Sequence, residues 1–171
     1  MAKRVAFAIP GDLETRTGGY AYDRRIIAEL RHRGWQVDIV GLGDGFPVPS
    51  EEQAAEASRR LLQAPADRPI VIDGLAFGVL PQAAASLRST RPVVALVHHP
   101  LAYETGLTPR AAERLHDSER AALAAAHMVV ATSGTTADLL VDRFGVPRGR
   151  LHVRPPGTDP VPQAAGSGSR Q

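Results

Sequence analysis

Val5-Ala6-Phe7-Ala8-Ile9, the amphipathic stretch at residues 22–33, and Gln36-Val37-Asp38-Ile39-Val40 decide the fold of this chain. The first run has no alternation of apolar with polar residues, the pattern of a strand covered on both faces in a parallel sheet. Between the two runs, Ile26, Ile27 and Leu30 fall on one helical face and Arg24, Arg25, Glu29 and Arg31 lie elsewhere. Gly34 then stops the helix. The three segments make one βαβ unit.

Outward from that unit, further short apolar runs stand at residues 69–72, 92–97, 128–132 and 151–153, with helical stretches expected at 51–62, 80–87, 109–125 and 135–144. The punctuation fits. Ser50 stands before a helix start, Pro109 suits a first helical position, Ser133 is a cap, and Gly145 with Pro147 is a stop. The alternation predicts an α/β domain: a doubly wound, open parallel sheet of about six strands, with ligands at the carboxyl ends of those strands.

The length of 171 residues suits one domain, assigned to residues 1–158. Residues 159–171 turn to Pro, Ala, Gly and Ser and read as an interdomain linker or disordered tail. Twenty basic residues against 18 acidic ones, with no dense Lys/Arg run, do not suggest nucleic acid as a partner. The absence of Cys excludes disulfides, thiolate metal sites and a Cys nucleophile. After Lys3-Arg4 only residues 5–10 are apolar before Asp12 and Glu14, so no targeting or membrane segment is visible and a cytoplasmic location is expected.

Three segments after strands are candidates for chemistry. The long loop at residues 10–19 ends in Gly18-Gly19 before the first helix, where backbone N–H groups and the helix N-terminus favour an anionic phosphate. It lacks the spacing of a dinucleotide-binding turn or a P-loop, so a plain tight turn and a phosphate contact stay equally open. The Gly41-Leu42-Gly43-Asp44-Gly45 cluster reads as a flexible β-to-α connection in preference to a ligand loop.

The third segment, His98-His99-Pro100, directly follows Val93-Val94-Ala95-Leu96-Val97, with Tyr103, Glu104 and Thr105 beyond. Polar residues at the carboxyl end of a central strand lie where open α/β sheets place their sites, and His can donate hydrogen bonds or carry protons near neutral pH. A strand-end cap is the alternative for each His. A metal site from His98, His99 and Glu104 is disfavoured, because adjacent side chains on a strand end diverge. Ser133 lacks the flanking pattern of a nucleophile elbow and reads as an N-cap. Asp73-Gly74 is open between site residue and cap. His32, His116, His127 and His152 have no partners at telling spacing.

At these residues the chain resembles the N-terminal domain of glycosyltransferase family 4, enzymes of the GT-B fold. The resemblance rests on Thr17-Gly18-Gly19-Tyr20 before a helix ending in Leu30, Gly34, Trp35 and Val37, and on the 93–97 strand followed by His98. It continues through Glu119-Arg120, Leu123 and the segment Ala126-His127-Met128-Val129-Val130-Ala131-Thr132-Ser133, then Phe144-Gly145-Val146-Pro147 and Pro156-Gly157-Thr158-Asp159. It implies a retaining transfer of a sugar from a nucleotide-sugar, the co-substrate, to an acceptor hydroxyl, with no cofactor and no essential metal. Gly18 and Gly19 would face the donor diphosphate, with Ser133 a further donor contact, and His98 would touch the donor sugar near the reacting centre. Asp12, His99, Tyr103, Glu104 and Thr105 are the expected substrate contacts.

In that family most donor-nucleotide contacts lie in a second, C-terminal domain beyond the linker, so the chain is expected to be the acceptor-side half and inactive alone. Surface left by a missing second domain would favour self-association. The Arg-bearing helix faces leave open a peripheral contact with anionic lipid, although solvated faces are the commoner reading. Two other functions remain open: a freestanding, non-catalytic domain binding a sugar-nucleotide or partner, and half of a GT-B type sugar-nucleotide epimerase.

Overall fold

Strand β1 (Arg4–Ile9) stands one strand in from an edge of the sheet, which builds outward from it in both directions. The computed structural model describes residues 3–158, so the expected linker or tail at 159–171 falls outside the described residues. The other strands are β2 (Gln36–Gly41), β3 (Ile70–Asp73), β4 (Val93–Val97), β5 (Met128–Ala131) and β6 (Leu151–Val153). Their order is β2-β1-β3-β4-β5-β6, and every neighbouring pair is parallel. The expected six-stranded, Rossmann-like α/β sheet is therefore observed.

The unbroken apolar runs have the predicted cause. Along β1, Val5, Phe7 and Ile9 join a core layer with Ile27 of helix α1 (Gly18–His32), while Ala6 and Ala8 face the opposite layer. That opposite layer takes side chains from α2 (Glu51–Gln63), α3 (Gly74–Phe77), α4 (Pro81–Arg88), α5 (Pro109–Ala125) and α6 (Gly134–Asp142). Thus α1 covers one face of the sheet and the later helices cover the other. This division follows from the right-handed crossovers: the chain moves one way from β1 to β2 and the other way through β3 to β6.

Helix α1 starts at Gly18, earlier than the expected residue 22, so the two glycines form its first turn and are not part of the loop. Thr17 makes this start, its side-chain oxygen accepting the Tyr20 N–H at 3.2 Å. The apolar periodicity that set the sequence boundary begins only where the helix meets the core. Ser50 caps α2 with a full capping box, Thr108 caps α5 ahead of Pro109, and Ser133 caps α6. Helix α3 and the single helical turns at Leu101–Tyr103 and Arg148–Arg150 are too short to leave a period in the sequence. Among the described residues no helix is long and apolar enough to cross a membrane.

Candidate functional site

Three neighbouring strands, β1, β3 and β4, deliver their carboxyl ends side by side. The segment after β1 leads to Gly18 and Gly19, β3 ends on Asp73, and His98 is the first residue beyond β4. The glycine turn and His98 meet directly: a Cβ built on Gly19 would stand 3.3 Å from His98 Cδ2. The N–H groups of Gly18 and Gly19 have no acceptor among the described residues, as befits the first turn of a helix, where four donors have no intrahelical partner.

His98 turns Nε2 inward. Asp23 Oδ1 lies 3.1 Å from it and Asp73 Oδ2 3.6 Å. Both carboxylates are buried, at 0% and 1% exposure, whereas the His98 side chain keeps 22%. Asp73 Oδ1 accepts the Leu75 N–H at 2.8 Å, so this residue caps α3 and faces the imidazole together. Tyr22 meets the His98 ring edge-on at 5.4 Å between centroids, and its hydroxyl donates to the Arg154 carbonyl at 2.9 Å.

The electrostatics follow from this burial. Desolvation raises the pKa of Asp23 to about 6; the His98 hydrogen bond opposes the rise and nearby Asp73 adds to it. Burial works against the His98 imidazolium, but the hydrogen bond to Asp23 and the charges of Asp23 and Asp73 outweigh it and lift the pKa to about 9. Between those values an ionised Asp23 faces a protonated His98. Tyr20 is held as a neutral phenol by burial and by the charges of Asp73, Asp23, Asp44 and Asp12, and it donates to the Pro10 carbonyl at 2.7 Å.

The backbone of His98 is fixed from the other side. Thr132 and the buried Thr136 both donate their hydroxyls to the His98 carbonyl, at 3.3 and 3.2 Å. Ser133 accepts the Thr136 N–H and donates to Thr136 Oγ1, so its hydroxyl serves the α6 cap and orients a residue that holds His98.

The loop after His98 is anchored by a carboxylate that the sequence placed in the family resemblance without a role. Glu119 on α5, 1% exposed, accepts the Leu101 N–H at 2.9 Å. Its pKa rises to about 8 because burial penalises the charged form, partly offset by hydrogen bonds from the Leu101 and Ala102 backbone.

The remaining predicted residues are spread along this rim. His99 is exposed and points away from His98, with Nε2 3.2 Å from the Tyr103 carbonyl oxygen, the divergence expected of adjacent side chains. Glu104 lines a cavity of about 220 Å³ together with Thr17, Gly19, Tyr20, Asp73, His98 and His99. Tyr103 is exposed and its ring packs against Phe144, and Thr105 is also exposed. Asp12 stands in the first loop, where Oδ1 accepts the Glu14 N–H at 2.9 Å. A larger hollow of about 580 Å³ lies on the outer flank of α1, lined by Gly18, Tyr22, Arg24, Arg25 and residues 155–158, so the glycine pair stands between two hollows.

The second glycine cluster behaves as a connection: Gly43 and Gly45 take φ of 83° and 96°, and the Gly43 carbonyl accepts the Gly11 N–H at 2.7 Å. Asp23, Asp73 and His98 each turn one ligand-type atom to within 4.8 Å of the others. Three donors fall short of the four of a closed zinc site and the six or more oxygens of a calcium site. The set that the sequence had weighed, His98, His99 and Glu104, is not the one the fold gathers.

Asp23 is the principal residue missed from sequence. It sits in an Arg-rich helical stretch where an acidic residue reads as solvated, and only its position on the core side of α1 distinguishes it.

A comparison with protein-family models matches residues 20–161 to the family described as Glycosyltransferase Family 4. The match begins just after the glycine pair and takes in Asp23, Asp73 and His98. No curated protein matches the chain.

Proposed function

Because the chain belongs to glycosyltransferase family 4, we propose that it forms the acceptor-side half of a retaining enzyme that moves a sugar from a nucleotide-sugar to an acceptor hydroxyl, without an essential metal. The observation that carries this reading is the meeting of the Gly19 turn and His98 on one rim at adjacent strand ends. A second α/β lobe facing the rim would supply most contacts to the nucleotide. Alone, this lobe would hold the donor weakly and turn nothing over.

In this reading the Gly18 and Gly19 N–H groups, at the positive end of α1, receive the donor diphosphate, where negative charge grows as the glycosidic bond breaks. His98 donates to an oxygen of the donor sugar and holds it near the reacting centre, a positioning task. Asp12, His99, Tyr103, Glu104 and Thr105, on the loops flanking the cavity, meet the acceptor. The reaction is expected in the cytoplasm.

Product analysis of a preparation carrying both lobes, against a panel of nucleotide-sugars, tests the proposal. Transferred sugar with its anomeric configuration retained is the expected result. Epimerised donor with no transfer would replace the proposal with an epimerase, and donor-induced NMR shifts confined away from Gly19 and His98 would remove the site.

A further inference from the structure

We propose that Asp23, Asp73 and His98 work as one proton-holding unit, in which two buried carboxylates keep the imidazole protonated with Nε2 inward, so that His98 meets its ligand as a fixed hydrogen-bond donor and not as a base. Three observations carry this. Nε2 has an acidic oxygen at 3.1 Å and a second at 3.6 Å, and among the described residues neither carboxylate has a basic partner other than this ring. Asp23 Oδ2 and Asp73 Oδ2 are buried and accept no hydrogen bond, so two bare carboxylates are costly away from water and a proton held at the ring relieves that cost. Nδ1, across the ring from Nε2, makes no hydrogen bond among the described residues and is not among the buried unpartnered atoms, which leaves it to the cavity.

Among the described residues no Lys or Arg pairs with either carboxylate. From α1 the ring faces Asp23 and the edge of Tyr22; from β3 it faces Asp73; Tyr20, His99 and Glu104 line the same cavity; and α6 offers only the neutral Thr136 to the carbonyl. Two carboxylates with one imidazolium leave the unit net negative when both acids are ionised. A net-negative site with an outward N–H suits an uncharged oxygen, such as a sugar hydroxyl, and suits positive charge growing at a sugar carbon. It does not suit a phosphate, which falls instead to the glycine turn. Asp23 and Asp73 are then positioning residues that act through His98.

The proposal stands apart from the transferase reading, because its test reads protonation and not turnover. The 171-residue chain, labelled with ¹⁵N-histidine, is titrated by NMR between about pH 5 and 10, a range spanning the ordinary His pKa. His98 should keep both ring N–H signals well above the ordinary histidine range. Asp23→Asn should lower its midpoint by more than about one pH unit, a tenfold change in proton affinity, and Asp73→Asn should lower it less, its oxygen being farther away. A wild-type midpoint in the ordinary range overturns the proposal without any variant. So does an unchanged midpoint in a folded Asp23→Asn chain, or selective broadening of the His98 signals by equimolar Mn²⁺, which would make the cluster a cation site.

Discussion

Gly19 lies against the His98 ring so closely that a Cβ there would come within 3.3 Å of Cδ2, whereas a Cβ on the adjacent Gly18 would meet nothing within 4 Å. The two glycines, indistinguishable in the sequence, therefore make different demands. Gly19→Ala should push the imidazole by a few tenths of an ångström, seen as a change in the His98 NMR signals. Gly18→Ala should leave those signals in place and gain at most about 1 kcal/mol in a denaturant melt, since alanine suits a helix better. Equal responses at the two positions would dissolve the distinction.

His98→Ala removes the donor and the countercharge of Asp23 together. In a preparation carrying both lobes, turnover should fall by roughly 10²-fold or more, as for loss of a preorganised donor. Stability should respond to pH in a defined window. The ion pair exists where Asp23 is ionised and His98 protonated, between about pH 6 and 9. The gap in melting temperature between wild type and variant should be widest there and close toward acid, where the carboxyls protonate, and toward high pH, where the wild-type imidazole loses its proton. A gap independent of pH would mean that only packing was lost.

Glu119 gives the opposite kind of test, because its charge is a cost. Its pKa is raised from an ordinary 4.5 to about 8, so the native state holds a proton that the unfolded chain releases, and stability falls as pH rises through that interval. Glu119→Gln keeps an oxygen for the Leu101 N–H and cannot ionise. It should melt close to wild type at acid pH and several degrees higher near pH 9, about a unit above that raised pKa. A variant that melts lower at both extremes would show that the carboxylate is needed as a charge.

Gly74 follows Asp73 with its Cα against β4, and a Cβ there would stand 3.0 Å from the Leu96 carbonyl oxygen, a backbone atom that cannot swing aside. Gly74→Ala should cost about 1–3 kcal/mol, the usual penalty of overpacking, and should displace the Asp73 cap with it. A thermal melt unchanged from wild type would mean that β3 and β4 separate more easily than their pairing implies.

The central strands β1, β3 and β4 were legible because both their faces are covered, which forces apolar residues at successive positions such as 93–97. The start of α1 was not, because Gly18 and Gly19 carry no side chain and Ala21 is exposed, which leaves Tyr20 alone and no apolar period. His98 stood out through its place directly after a buried strand. Asp23 did not, because a single acid among arginines looks like solvated surface until α1 is laid across β1 and β4. Asp73 was left between site and cap, and its two oxygens divide those tasks.

The carbonyl of His98 is tied to Thr132 and Thr136, while its ring is tied to α1 and β3. During synthesis from the N-terminus, the carboxylates and the histidine would all leave the ribosome before those threonines do. The pocket would acquire its final shape only as α6 emerges, and a chain truncated ahead of that helix would carry every reactive group yet keep only the Thr132 half of the clamp on His98.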